Sequence, residues 1–217
     1  MKAGMIGLGA MGSGMAGNLA KAGYLTAVYN RTTAKTAEFK VAALDSPEAL
    51  AAEVDIVLIC VSADQDVLSV VEAIAKTIKP GSIVVDMSTV SSETAKKAAA
   101  ILAEKQVAFL DAPVSGGVEG AKSSTLAMMV GGDAEALEKA RPVLAAMTTR
   151  IMHMGATGSG QATKAVNQVM CAGINQAVTE ALAFAQAQGL AMDKVIDVIS
   201  GGASGNWFLQ RRGSTMT

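Results

Sequence analysis

The stretch MKAGMIGLGAMG (residues 1–12) decides the fold. Met1 to Ile6 is an apolar run broken by one lysine, the pattern of a buried strand. GLGAMG (7–12) follows at once, and a helical pattern begins near Ala10 and runs to about Ala22. Strand, G-x-G-x-x-G and helix in direct succession form the context in which this glycine spacing binds a dinucleotide. Gly7 permits the tight turn. Gly9 lets the backbone approach a pyrophosphate whose charge sits on the helix N-terminus, and Gly12 lets the helix pack close to the strand. Leu8, Ala10 and Met11 are the remaining residues of that cofactor loop.

The next apolar run, Leu25 to Tyr29, ends in Asn30-Arg31-Thr32. An NAD site carries Asp or Glu at this point, to accept hydrogen bonds from the ribose 2′-OH. Here a neutral Asn30 is followed by a cation and a hydroxyl. Arg31 and Thr32 suit a 2′-phosphate, which a guanidinium grips in bidentate fashion. NADP is therefore the expected cofactor, with NAD as the other candidate. The competing view of Arg31 is a solvated loop charge.

Working outward, strands are predicted at 2–6, 25–29, 55–60, 82–86, 107–110, 126–130 and 150–153. Helices are predicted at 10–22, 47–53, 65–78, 92–105, 133–147, 161–189 and 192–200. Ser46-Pro47-Glu48 reads as a helix start, with a cap, a proline at the first position and an early acid. The alternation implies an α/β fold with a doubly wound, parallel sheet and ligands at the carboxyl ends of its strands.

Two further segments carry chemistry. DAPVSGG (111–117) follows the apolar run Val107–Leu110 and places Pro113, Gly116 and Gly117 in a tight turn. Adjacent glycines can aim successive N–H groups into one concavity that holds an anion, and Ser115 adds a hydroxyl, so a carboxylate is the natural guest. Taken alone, the segment is equally an ordinary turn. GATGSGQATKAVNQ (155–168) leads into the helical pattern from Gln161 and puts Lys164 in its first turn. A lysine there faces the positive end of the helix dipole, so stability alone favours an acid. Asn167 and Gln168 lie three and four positions on and share a face with it. An ammonium beside an amide suits a polarised carbonyl oxygen, whereas an isolated lysine on an amphipathic helix is ordinarily a surface residue.

Together the three motifs resemble those of the β-hydroxyacid dehydrogenase family, which includes 3-hydroxyisobutyrate dehydrogenase and tartronate semialdehyde reductase. The resemblance runs from Met1 to about Gly213 in the family's order and spacing. It implies a Rossmann-type dinucleotide-binding domain over residues 1–160. A long helix and a shortened, all-helical C-terminal domain are then expected over 161–217. It also implies that Lys164 is the catalytic lysine and that Ser115, Gly116 and Gly117 hold the substrate. Either Asn167 or Gln168 is then the catalytic amide. Val61 and Ser62 resemble one cofactor loop, and Ser88–Val90, with Thr89 at its centre, the nicotinamide-side loop. The implied reaction is hydride transfer between a small hydroxy acid and its semialdehyde, with Lys164 as general acid and base. The implied assembly is a homo-oligomer formed through the C-terminal helices. The alternatives are a non-catalytic NADP-binding module and an imine reductase on the same fold.

Composition narrows the field. The 217 residues hold 18 Lys and Arg against 19 Asp and Glu, a formal net charge of −1, with no basic stripe to bind nucleic acid. No apolar run approaches the length of a membrane span, and no signal-peptide pattern is present, so a cytoplasmic enzyme is expected. Cys60 and Cys171 read as reduced core thiols. His153 has no Cys or acidic neighbour in a metal-ligand pattern, and no metal is expected. Trp207 and Phe208 read as core or interface rather than pocket lining.

Overall fold

The computed structural model describes residues 1–216. The chain divides into two compact units, Met1–Lys164 and Ala165–Thr217. In the first, strands β1 (Ala3–Ile6), β2 (Leu25–Tyr29), β3 (Ala42–Ala43), β4 (Ile56–Ile59), β5 (Ile83–Asp86) and β6 (Ala108–Asp111) alternate with helices. The helices are α1 (Ala10–Lys21), α2 (Pro47–Glu53), α3 (Asp64–Ile74) and α4 (Ser92–Ala103). Then come β7 (Val114–Ser115), α5 (Gly117–Ser123), β8 (Leu126–Gly132), α6 (Ala134–Leu144) and β9 (Thr148–Gly155). Helix α7 (Ser159–Ala187) starts in this unit, and α8 (Met192–Ser200) and α9 (Trp207–Arg212) lie in the second.

The strands form one sheet in the order β3-β2-β1-β4-β5-β6-β8, and β7 and β9 also pair with β8. From β3 to β6 every pairing is parallel. The fully parallel expectation fails at β8, which runs antiparallel to both β6 and β7 before β9 joins it in parallel. The reason is local. Asp111 pairs with Gly131 and Ser115 with Ala127, so the DAPVSGG segment carries the chain along β8 in two short pairings rather than leaving the sheet. Its Gly-Gly end then starts α5, a helix absent from the sequence expectation. Buried Asn18 of α1 ties to α5 by donating to the Ala121 carbonyl (2.7 Å).

Helices cover both sheet faces, which is why β1, β4 and β5 are buried at every position. Within β4, Ile56 and Leu58 join the cluster under α1, α5 and α6, while Val57 and Ile59 join that under α2, α3 and α4. This is the period-two alternation of a strand between two layers. Burying these aliphatic side chains contributes roughly 1.5–3 kcal/mol each.

The second unit has its own small core. Val178, Leu182 and Leu209 pack with Ile174, Met192, Ile196, Ile199 and Phe208. Trp207 and Phe208 meet edge to face with ring centroids 5.3 Å apart. Phe208 packs against the core while Trp207 is exposed. Among the described residues no helix is long and apolar enough to cross a membrane.

Candidate functional site

The carboxyl edge of the parallel strands carries a cleft of about 350 Å³. It lies between the β1–α1 turn, the loop after β2 and the loop after β4, with Gly7, Gly9, Asn30, Arg31, Val61 and Ser62 among its lining residues. Two glycines close the turn beneath it. Gly7 has φ +95°, and a Cβ there would strike the Cys60 carbonyl. A Cβ on Gly12 would strike the carbonyl of Gly7. Gly9 differs: apart from its own chain neighbours, a Cβ there would meet no atom of the described residues within 4 Å, so its bareness serves the open cleft rather than the packing.

The start of α1 has the chemistry an anion needs. Gly9 caps it with no side-chain hydrogen bond, and no acid occupies its first turn. Helices α2, α4 and α6 are instead capped by Ser46, Ser91 and Asp133, each with a glutamate in the first turn. An uncapped helix N-terminus beside a cleft accepts a phosphate through its N–H groups and dipole. These residues therefore fit a dinucleotide. Ala10 is exposed at that terminus and Met11 partly buried behind it. Leu8 takes another part than contact through its side chain. It is buried in the core, and its N–H donates to Asn30 Oδ1 (2.8 Å).

Asn30 thus holds the glycine loop against the end of β2. Its Nδ2 also donates to the Thr32 carbonyl (2.9 Å), which shapes the turn that presents Arg31 and Thr32. Arg31 is exposed at the cleft mouth, 3.5 Å from Asp66. Lys35 and Asp66 also line the cleft. Each lacks a motif, and Asp66 reaches the cleft only because α3 packs beside β4. Cys60, another lining residue, has its thiol pushed up to about 12, mainly by burial and further by the Asp86 carboxylate.

The loop after β5 lies beside that after β4, since Val61 N–H donates to Ser88 Oγ (2.9 Å). Thr89 is exposed at its tip. Asp64, at the start of α3, accepts from Ser91 N–H and from Thr94 Oγ1. These bonds hold its carboxyl down at about 2, with the Thr94 hydroxyl as the largest cause.

The substrate-loop candidates follow β6. Ser115 pairs with β8 and is partly exposed, while Gly116 and Gly117 are exposed with φ +135° and +63°. Asp111, the first residue of the same segment, is fully buried. Its Oδ1 accepts from Gly158 N–H (2.8 Å) and its Oδ2 from Gln161 N–H (2.9 Å), so it caps the start of α7. The approach is close: a Cβ on Gly160 would strike the Asp111 and Met129 carbonyls. The DAPVSGG segment and the glycine turn before Lys164 thus meet at one point of the sheet edge.

Lys164 is buried at 9% exposure. Helix α7 begins at Ser159, two residues before the predicted start, so Lys164 stands in the second turn. There the dipole acts on it less than the first-turn placement supposed. Asn167 and Gln168 fall in the second unit. Asn167 is partly buried, Gln168 is exposed, and Asn167 Nδ2 donates to Gln168 Oε1 (3.1 Å). His153 is on β9 with Nε2 2.8 Å from the Gly132 carbonyl. No group of three or more His, Cys, Asp or Glu among the described residues could hold a metal ion.

Comparison with known proteins places the chain in a family. Residues 2–158 match the NAD binding domain of 6-phosphogluconate dehydrogenase, and residues 158–217 the NAD-binding region of NADP-dependent 3-hydroxyisobutyrate dehydrogenase. An uncharacterized oxidoreductase of Shewanella frigidimarina is 41% identical over 99% of this chain and 76% of its own length. The NAD-dependent L-serine dehydrogenase of Pseudomonas aeruginosa is 38% identical over 94% of this chain and 71% of its own. The solved structure of Mycobacterium tuberculosis 3-hydroxyisobutyrate dehydrogenase with L-serine superposes with a TM-score of 0.88 at 36% identity. That match covers 97% of this chain and 73% of the other.

Proposed function

Because this chain belongs to the β-hydroxyacid dehydrogenase family and is an NAD(P)-dependent oxidoreductase, we propose that it interconverts a small hydroxy acid and its semialdehyde, with NADP preferred. The observation that carries the reading is the pair of hydrogen bonds that the Gly158 and Gln161 N–H groups donate to the Asp111 carboxylate. It joins the segment read as the substrate grip to the turn that leads to Lys164, at the carboxyl edge of the sheet.

The bound cofactor supplies or accepts the hydride at its nicotinamide C4. Lys164 gives a proton to the carbonyl oxygen in reduction and takes it back in oxidation. Asn167 or Gln168 orients the same oxygen. Ser115 and the Gly116 and Gly117 N–H groups hold the substrate carboxylate. Gly7, Leu8, Gly9, Ala10, Met11 and Gly12 form the pyrophosphate loop, Asn30 fixes it, Val61 and Ser62 complete the cleft, and Thr89 meets the cofactor from the adjoining loop after β5. The NADP preference is supported by Arg31, Thr32 and Lys35 at the cleft and by the absence of an acid at position 30.

Residues 161–217 form the helical domain in this reading, and they join copies of the chain. Support comes from Val166, Val169, Met170 and Phe184, which are 58–73% exposed on α7. The test is NADPH consumption by the purified chain with succinic, methylmalonic, tartronic and glyoxylic semialdehyde-type substrates. Turnover that Lys164→Ala abolishes supports the reading. NADPH binding without turnover on any of them favours a binding module instead.

A further inference from the structure

Gln161 is an anomaly for a residue at the start of a helix. It is only 2% exposed, and its whole carboxamide is used on one distant loop. Nε2 donates to the Ser88 carbonyl (2.8 Å), and Oε1 accepts from Val90 N–H (3.2 Å). One carbonyl and one N–H two residues apart are the groups that a neighbouring strand would satisfy. Here a side chain from α7 satisfies them, across a separation of more than 70 residues. Its own backbone N–H goes to Asp111 Oδ2. Ser92 Oγ adds a second link by donating to the Gly158 carbonyl (2.9 Å). The same Ser88 accepts from Val61 N–H through its hydroxyl. Loops after β4, β5 and β6 therefore converge on the first turn of α7.

We propose that Gln161 is a positioning residue: its carboxamide locks the Ser88–Val90 loop, on the nicotinamide side of the cleft, to the turn of α7 that leads to Lys164. Gln161 and Lys164 stand three apart on that helix, so they occupy neighbouring positions of one face. Fixing the loop to this face holds the proton-transferring group and the cofactor ring in one frame, and small misplacements of either cost rate steeply. The inference rests on the reading of Lys164 as acid and base. It adds that Gln161 never touches the reacting atoms.

The side-chain type is specific. Methionine keeps the volume and loses both hydrogen bonds. An ionised glutamate loses the donor and sets an oxygen against the Ser88 carbonyl. A protonated glutamate restores one donor and one acceptor in the same shape. The ionisable groups around it are Asp111 and Asp86 on the sheet, Asp64 at the start of α3, Lys96 on α4 and Lys164 on its own helix.

The test compares wild type, Gln161→Met and Gln161→Glu with NADPH and its C4-deuterated form. NADPH affinity should stay within about threefold in both variants, since the pyrophosphate loop is untouched. Turnover of Gln161→Met should fall roughly ten- to a hundredfold, with a larger deuterium isotope effect than wild type because hydride transfer has become limiting. Turnover of Gln161→Glu should show a second climb as pH falls through the range where its carboxyl protonates, below the range where protonation of Lys164 governs wild type. A purely structural role would lower the amount of active enzyme and leave the isotope effect unchanged. Turnover of Gln161→Met within about twofold of wild type, or a Glu variant with the wild-type pH profile, would overturn the proposal. If Gln161→Met does not fold, the Glu variant carries the test. If wild type itself reduces no semialdehyde, the function proposed above fails. Amide hydrogen exchange over residues 88–91 of the NADPH-bound protein then decides the tie. Faster exchange in the variants supports it, and unchanged exchange overturns it.

Discussion

Asp86 and Asp111 pair in register across β5 and β6, two fully buried carboxyl groups at the ends of adjacent strands. They are not equivalent. Asp111 has both oxygens occupied by N–H groups of the α7 start. Asp86 accepts from Ser88 N–H through Oδ1, while its Oδ2 has no hydrogen-bond partner among the described residues. Burial pushes Asp86 up to about 6, Ser88 opposes the rise, and Asp111 and Asp64 add to it. Asp111 is raised as well, again chiefly by burial.

The sign of the resulting pH dependence is unusual for a carboxyl. The folded state binds the Asp86 proton more tightly than the unfolded chain, whose carboxyl titrates near 3.8. Its contribution is complete below about pH 4 and is lost as pH rises through about 6. The displacement corresponds to roughly 3 kcal/mol. Asp86→Asn should therefore flatten the fall in stability between pH 4.5 and 7.5, measured by urea unfolding. A variant with the slope of wild type would refute this assignment.

Gly9 and Gly12 should separate binding from folding. Gly12→Ala sets a Cβ into the Gly7 carbonyl, so it should lower the melting temperature and binding together. Gly9→Ala meets no atom of the described residues within 4 Å beyond its own chain neighbours, so its melting temperature should match wild type. NADPH affinity of Gly9→Ala should nevertheless fall by about tenfold or more, the equivalent of about 1.4 kcal/mol of lost pyrophosphate contact. Calorimetry on both variants reads the two quantities independently. Undiminished affinity in Gly9→Ala would remove the pyrophosphate from this loop.

Arg31 and Asp66 set opposite charges at the cleft mouth, 3.5 Å apart. In the proposed NADP reading, a 2′-phosphate would compete with Asp66 for the guanidinium. Asp66→Asn should therefore tighten NADPH about two- to threefold and leave NADH unchanged, the modest effect expected of an exposed ion pair. Arg31→Ala with Asn30→Asp should weaken NADPH by roughly tenfold or more and improve NADH. Asn30 also holds Leu8 N–H, and the aspartate retains that acceptor. Steady-state KM values for both cofactors check each step, and no gain toward NADH would count against the 2′-phosphate site.

Lys164→Ala should lower turnover by roughly 10²–10⁴, the usual contribution of a positioned acid or base. NADPH affinity should change little, because the cofactor cleft is lined by other residues. Lys164→Arg should not rescue it, since a guanidinium does not release its proton near neutral pH. Single-turnover reduction separates the chemical step from binding. Near-normal turnover in the alanine variant would exclude the lysine from proton transfer.

Periodicity and spacing in the sequence determined the alternating helices and strands, the glycine turn at 7–12 and the segments around Ser115 and Lys164. Those signals are local: a strand between two helical layers must be apolar throughout, and a turn that admits a pyrophosphate must be glycine. The resemblance of the three motifs supplied the family, which the comparisons then established. The direction of β8 and helix α5 depended on packing, because a Gly-Gly pair ends a strand equally well in a loop or at a helix start. Asp66, Gln161 and Asp86 were silent for the same reason. A cleft carboxylate, a buried amide and a raised carboxyl acquire meaning only from groups distant in sequence. Asp66 faces a loop 35 residues away, and Gln161 reaches a loop more than 70 residues away. Asp86 is raised by burial under helices and by a neighbouring strand. Local pattern fixes where the chain turns and which side chains lie inside; only the folded contacts fix what those side chains touch, and hence their hydrogen bonds and charge.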